Sequence, residues 1–212
     1  MPRVLAGAGV IAAGIVLVLL AGIAIGRWPF PFDGPIVTGL RHWGGPRWLA
    51  HAAGDVTALG GGTVLTIVVI LVAGLLAVQR LWLSAASILL ASATGGMAVD
   101  LIKSQVLRAR PNLVPHLVPA SGYSFPSGHA ASSAVVYLTI AAIAGQVTPT
   151  RAIRRYLLGC AILLVGVIGS SRVYLGVHWP SDVLVGWSFG TLWALGWWIA
   201  TAHTRVAIGG ER

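Results

Sequence analysis

The amino-acid sequence predicts an all-α fold: a polytopic membrane protein with six transmembrane helices in one bundle and a short interfacial helix. Two observations carry this. Of the 212 residues, 57% are hydrophobic and 9% charged, with a mean hydropathy of +0.87. A soluble domain carries about 25% charged residues. The apolar residues also gather into six runs near the ~20 residues that cross a bilayer as a helix. The chain suits one domain over 1–212 rather than two.

The first expected span is 4–26. Its apolar stretch, Val4 to Gly26, is too long for the core of a typical signal peptide and reads as an uncleaved span. The segment "RWPFPFDGPIVTGLRHWGGPRWLAHAAGD" follows, with three Trp and two Phe among Pro and Gly. Such aromatics favour the membrane–water boundary, so a short interfacial helix is expected near 35–53. His42 and His51 read as surface residues there. The remaining spans are expected at 61–79, 81–102, 127–146, 156–175 and 182–202. A second long connection, 103–126, is rich in Pro, Gly and aromatics. No repeat stands out.

The net charge is +9, but the 14 basic residues are scattered and form no long run, so nucleic acid is not an expected partner. Acidic residues are rare: Asp33, Asp55, Asp100, Asp182 and Glu211. The single cysteine, Cys160, excludes an internal disulfide and a cysteine metal site, and reads as a small buried apolar residue.

Orientation follows from Lys and Arg. With a cytoplasmic N-terminus, seven basic residues fall on each side. Setting Lys103, Arg110 and Arg172 aside for chemistry leaves seven inside against four outside. The "TRAIRR" loop between the fourth and fifth spans points the same way. Both termini are therefore expected in the cytoplasm.

Three polar motifs then fall at one face of the bundle. In "KSQVLRARP", Lys103 and Arg110 are seven apart and return to nearly the same face of a helix, which Pro111 helps to end. Two cations on one face suit a polyanion. Arg108 is expected to point elsewhere, as a surface or headgroup contact. In "YSFPSGHAASS", Ser127 is a plausible N-cap of the fourth span. Free N–H groups at a helix start make an anion site. Gly128 allows close approach to the backbone, and His129 in the first turn can donate a proton. In "SRVYLGVHWPSD", Pro180 suits the first position of a helix. Asp182 then lies four residues after His178, where it can orient the imidazole and stabilise its cation. A charge such as Arg172 within a span costs about 2.5–3.5 kcal/mol at the bilayer centre, less near the ends, and so needs a reason. Ser171 packs or hydrogen-bonds locally. Asp100, one turn before Lys103, is expected to form a supporting salt bridge with it. Tyr123 and Asn112 are candidates for the entrance, and His116 and His203 for the surface.

Together these residues resemble the type 2 phosphatidic acid phosphatase superfamily, the lipid phosphate phosphatases. The family pattern is K-x6-RP, then PSGH, then SR-x5-H-x3-D. Lys103, Arg110-Pro111, Pro126-Ser127-Gly128-His129, Ser171-Arg172, His178 and Asp182 match every specified position in order and spacing. The motifs cover 103–182. The resemblance implies a metal-independent phosphatase, with no cofactor, that passes through a phosphohistidine. His178 would be the nucleophile, oriented by Asp182, and His129 the general acid. Lys103, Arg110, Arg172, Ser127 and the Gly128 amide would hold the phosphoryl oxygens. The implied partner is a lipid phosphate within the bilayer, met at the outer face of the cell membrane. Undecaprenyl diphosphate is favoured, with phosphatidic acid and phosphatidylglycerol phosphate as alternatives. The pattern also occurs in vanadium-dependent haloperoxidases, but those are soluble and the six apolar runs argue against them. A non-catalytic phospholipid-binding or transport protein is the other alternative.

Overall fold

The computed structural model describes Gly7 and residues 9–16 and 29–209; residues 9–16 are helical, and no strand occurs among the described residues. From residue 33 onward the helices are α1 (Asp33–Trp43), α2 (Arg47–Ala58), α3 (Gly62–Val78), α4 (Trp82–Val106), α5 (Gly128–Val147), α6 (Arg151–Tyr174) and α7 (Pro180–Ala207). Four of these, α4 to α7, are long and apolar enough to cross a membrane. A fifth span results if α2 and α3, bent by 49° at their junction, are taken as one broken span. Six were expected. Most of the first, 4–26, lies outside the described residues, so the count of six is not reached among them.

The interfacial helix expected near 35–53 is instead two helices, α1 and α2. The break has a local cause. Gly44 and Gly45 take φ of +64° and +70°, and Pro46 then precedes α2. Left-handed backbone at two successive glycines ends a helix, and proline at the edge prevents its continuation. Both helices are amphipathic, and α1 buries Val37 against Val173, Trp179 and Val183.

The other boundaries follow the sequence closely. Helix α3 is apolar throughout and ends at Gln79–Arg80, where Arg80 takes φ +62°. Helices α5 and α7 begin after Ser127 and at Pro180. An unexpected feature is a π-helical turn at Ala134–Leu138 inside α5. Cys160 is half-buried in α6 rather than fully buried.

Helix α7 meets α5 through glycines. In "GWSFG", Gly186 and Gly190 lie one turn apart on the same face. A Cβ at Gly186 would lie 3.0 Å from Ala130 Cβ, Ala131 N and Ser127 O. One at Gly190 would strike Ala134 Cβ and the backbone of Val135 and Ala131. Between membrane helices, small residues of this spacing let backbones approach and gain dispersion contact. Tryptophans exploit similar gaps. Trp187 Nε1 donates to Val165 O at 3.0 Å across Gly169, and Trp193 Nε1 to Ala91 O at 2.9 Å across Gly95. The close α5–α7 contact also fixes the helix ends, because Ser127 N donates to Asp182 O at 3.1 Å.

Candidate active site

The end of α4, the start of α5, the end of α6 and the start of α7 converge at one end of the bundle. They bring Lys103, Arg110, Ser127, Gly128, His129, Arg172, His178 and Asp182 together.

His178 lies in the short turn between α6 and α7 and is 1% exposed. Its Nε2 stands 3.1 Å from Arg110 Nη1. A guanidinium has no lone pair to offer, so Nε2 is the acceptor and the neutral ring carries its proton on Nδ1. That nitrogen faces Asp182 Oδ2 at 3.5 Å, an ion-pair distance without hydrogen-bond geometry. Burial pushes the imidazole down to about 4; Asp182 pulls it up, and Arg110 and Arg172 push it further down.

Asp182 is fully buried. Its Oδ2 accepts from Trp179 N at 2.9 Å and from Ser124 Oγ, and its Oδ1 from Arg108 Nη1. The carboxylate thus closes the first turn of α7, where a negative charge opposes the helix dipole.

Arg110 is held by carbonyls on all sides. It donates to Gly122 O at 3.0 Å, Ser121 O at 2.7 Å and Val177 O at 2.8 Å. Burial lowers its affinity for a proton and Asp182 opposes this. Lys103 Nζ reaches Tyr123 O at 3.4 Å and would lie 3.6 Å from a Cβ at Gly128. The ammonium therefore sits at the opening of α5. Arg172 is 5% exposed and donates to Thr57 Oγ1 at 3.1 Å.

Ser127 occupies the N-cap position, as expected, but its side chain caps nothing. Its Oγ is buried with no hydrogen-bond partner, as is Arg172 Nε. A buried polar atom without a partner is costly unless something else fills the role. His129 sits in the first turn of α5 with the cations Arg172, Lys103 and Arg110, and the His178 ring, as its neighbours. Gly60 and Gly61, at the α2–α3 junction, close the other side: a Cβ on Gly60 would lie 3.4 Å from His129 Cβ. The arrangement can hold a tetrahedral anion between three cations, a hydroxyl and helix N–H groups, with the unprotonated imidazole nitrogen that Arg110 meets beside it.

Three expectations are corrected. Lys103 and Arg110 do not share a helix face, because α4 ends at Val106 and Leu107 takes φ +51°. Arg110 reaches the site from the loop beyond. Arg108 is not a surface contact. That turn sends it inward, where its side chain is 8% exposed and pairs with Asp33 and Asp182. No ion pair joins Asp100 to Lys103 among the described residues; Asp100 is exposed and acts on Lys103 only at longer range. Ser171 bonds locally, to Ile168 O at 2.7 Å. Tyr123 contributes its carbonyl, while Asn112 and the expected surface histidines His42, His51, His116 and His203 are exposed.

Sequence reasoning missed Asp33, Thr57, Arg108 and Ser124. The signal for Asp33 was the scarcity of acids, since the chain has five. Nothing in the sequence marks Thr57 or Ser124. Among the described residues no group of three or more His, Cys, Asp or Glu side chains is placed to hold a metal ion.

The family model described as the PAP2 superfamily matches residues 81–205. Phosphatidylglycerophosphatase B of Bacillus subtilis is 35% identical over 147 residues, covering 68% of this chain and 71% of that protein. An undecaprenyl-diphosphatase of Sulfolobus acidocaldarius is 33% identical over 84 residues, covering 40% of this chain and 34% of that one. The crystal structure of a transmembrane PAP2-type phosphatidylglycerolphosphate phosphatase from Bacillus subtilis superposes with a TM-score of 0.79 at 28% identity, covering 93% of this chain and 96% of that one.

Proposed function

Because the chain belongs to the PAP2 superfamily, and the relatives it matches are lipid phosphatases, we propose that it is an integral membrane enzyme that hydrolyses a phosphate from a lipid headgroup. The observation that carries this reading is the unprotonated Nε2 of His178, which Arg110 meets at 3.1 Å and which lies in the field of Arg110 and Arg172, at the same end of the bundle as the unpartnered Ser127 hydroxyl.

His178 Nε2 attacks phosphorus and forms the N–P bond as the bond to the leaving oxygen breaks. His129 passes a proton to that oxygen. Asp182 balances the positive charge that develops on the imidazole. Water, giving its proton to His129, then attacks phosphorus, and the N–P bond breaks to release inorganic phosphate. Lys103, Arg110, Arg172, Ser127 Oγ and the Gly128 amide hold the phosphoryl oxygens throughout. Phosphoryl transfer depends mostly on such positioning and charge stabilisation.

A lipid substrate is supported by an apolar groove of about 720 Å³ between α1, α2, α6 and α7. Phe32, Ile36, Trp48, Val56 and Trp187 line it, and so do Ser171 and Pro180, which adjoin Arg172 and the His178–Asp182 turn. The groove can lodge a hydrocarbon tail while the headgroup enters the cationic end. Phosphatidylglycerol phosphate is the first substrate to test, because the Bacillus subtilis relative, matched over 68% of this chain, and the solved structure, matched over 93% of it, carry that activity in their names. Undecaprenyl diphosphate is the second, supported by the shorter match to a diphosphatase. The Lys and Arg distribution supports cytoplasmic termini and a site at the outer face, with the full bundle counting six spans.

The test is phosphate release by the purified chain in detergent with EDTA, from phosphatidylglycerol phosphate, undecaprenyl diphosphate and phosphatidic acid, beside His178→Ala. Release that persists with EDTA and vanishes in the variant supports the reading. A folded protein that binds these lipids but releases nothing would replace it with non-catalytic binding.

A further inference from the structure

Two fully buried carboxylates share one guanidinium below the reacting histidine. Arg108 Nη2 lies 2.8 Å from Asp33 Oδ2, and Arg108 Nη1 bonds Asp182 Oδ1. The guanidinium is also seated over the Trp179 ring, 5.3 Å from its centroid. Ser181 closes the cluster: its Oγ accepts from Arg108 Nη1 at 2.8 Å and donates to Asp33 Oδ2 at 2.7 Å. Asp33 further accepts Ser181 N at 2.9 Å and Phe30 N at 3.1 Å. One side chain at the start of α1 therefore ties the start of α7 to the loop after α4.

We propose that Asp33 and Arg108 are positioning residues for phosphoryl transfer: the Asp33–Arg108–Asp182 chain fixes the carboxylate against His178 and sets the charge that the imidazole meets. This rests on the reading of His178 as the nucleophile.

The physical argument is one of charge. A guanidinium paired with Asp182 alone would cancel it. Because Asp33 takes half of Arg108, the cluster keeps a net charge of −1, counting Asp33 and Asp182 as negative and Arg108 as positive. That charge faces the ring that becomes cationic when Nε2 bonds phosphorus. The burial of both carboxylates keeps water from screening it. The bidentate fork also sets where Asp182 stands, which a lysine could not do equally well. In this account neither Asp33 nor Arg108 touches substrate.

The test follows the His178 ring by nuclear magnetic resonance in the full chain in detergent, assigned by its loss in His178→Gln. His178 is faced by Asp182 from α7, Arg110 from the loop after α4, Arg172 from α6 and His129 from α5, and no variant below alters these. Asp33→Asn removes a negative charge, so the ring's titration midpoint moves down. Arg108→Gln removes a positive charge, so it moves up, by about one unit or more. Arg108→Lys restores the midpoint but not the fixed carboxylate, so kcat falls with KM little changed. Midpoints that stay put, or that move in the same direction, in folded protein overturn the proposal. If Arg108→Gln does not fold, the direction seen in Asp33→Asn decides. The titration needs no turnover. A wild type that releases no phosphate refutes the phosphatase reading separately, and the midpoints still judge the charge chain.

Discussion

Arg110 Nη1 lies 3.1 Å from His178 Nε2, and that contact identifies the tautomer of the buried imidazole. The guanidinium donates, so Nε2 holds the lone pair and Nδ1 the proton that faces Asp182. Arg110 thus sits where a phosphoryl oxygen would be met, beside the nitrogen that would attack.

Arg110→Ala removes both effects. We expect kcat/KM to fall by about 10²–10³-fold, the range for losing one preorganised donor to a developing charge. Arg110→Lys should recover only part, since an ammonium cannot span Val177 O, Ser121 O and the ring together. Steady-state phosphate release checks both.

Ser127→Ala separates stability from activity. The Ser127 hydroxyl is buried without a partner, so its loss should leave thermal stability unchanged or slightly raised. A hydrogen bond to a charged phosphoryl oxygen is worth about 1.5–3 kcal/mol, so kcat/KM should fall by roughly ten- to a hundredfold. Melting curves beside kinetics test the pair.

Helix positions, the bundle class and the matched motif residues were legible because apolar run length and fixed spacing report them directly. What was hidden is instructive. Leucine has no preference for left-handed backbone, so nothing in "VLRARP" shows that Leu107 turns the chain and sends Arg108 inward. The pairing of Asp33 with Arg108 spans 75 positions and is set by tertiary packing alone. The π-helical turn at Ala134–Leu138 leaves no mark in an apolar run. The break between α1 and α2 is readable in "GGP", where two glycines and a proline interrupt a stretch whose aromatics otherwise suit one interfacial helix.

Gly186→Ala tests whether the α5–α7 approach positions the site. The added methyl would need room where atoms stand 3.0 Å away, two of them backbone. We expect a loss of about 1–3 kcal/mol from overpacking. Activity should fall as well, since Ser127 and Asp182 are joined by backbone at that contact. Gly196→Ala, where nothing lies within 4 Å, should change neither. Thermal melts and phosphate release of the two variants decide this.

The pH dependence follows from His178, whose ring is pushed down to about 4, chiefly by burial. In the proposed mechanism the attacking ring must be neutral, so its contribution to the acid limb of kcat/KM should fall near pH 4 rather than near the ordinary value of about 6.5. The same shift acts on stability. An unfolded ring takes its proton near pH 6.5 while the folded one resists until about 4. Stability is therefore lost as pH falls through that window and levels off below it. His178→Gln should lack this component, which melting temperatures of the two proteins between pH 4 and 7 will show.

The most direct test of the central claim is covalent trapping. Wild type, His178→Gln and His129→Gln would be mixed with lipid labelled in its terminal phosphate, quenched in alkali, and the label located by peptide mapping. The account predicts acid-labile, alkali-stable phosphate on His178 in wild type and none in His178→Gln. His129→Gln should still accept label from a substrate with a good leaving group, and should release it slowly. Turnover in wild type with no label on His178, together with a His178→Gln variant that still releases phosphate, would contradict it.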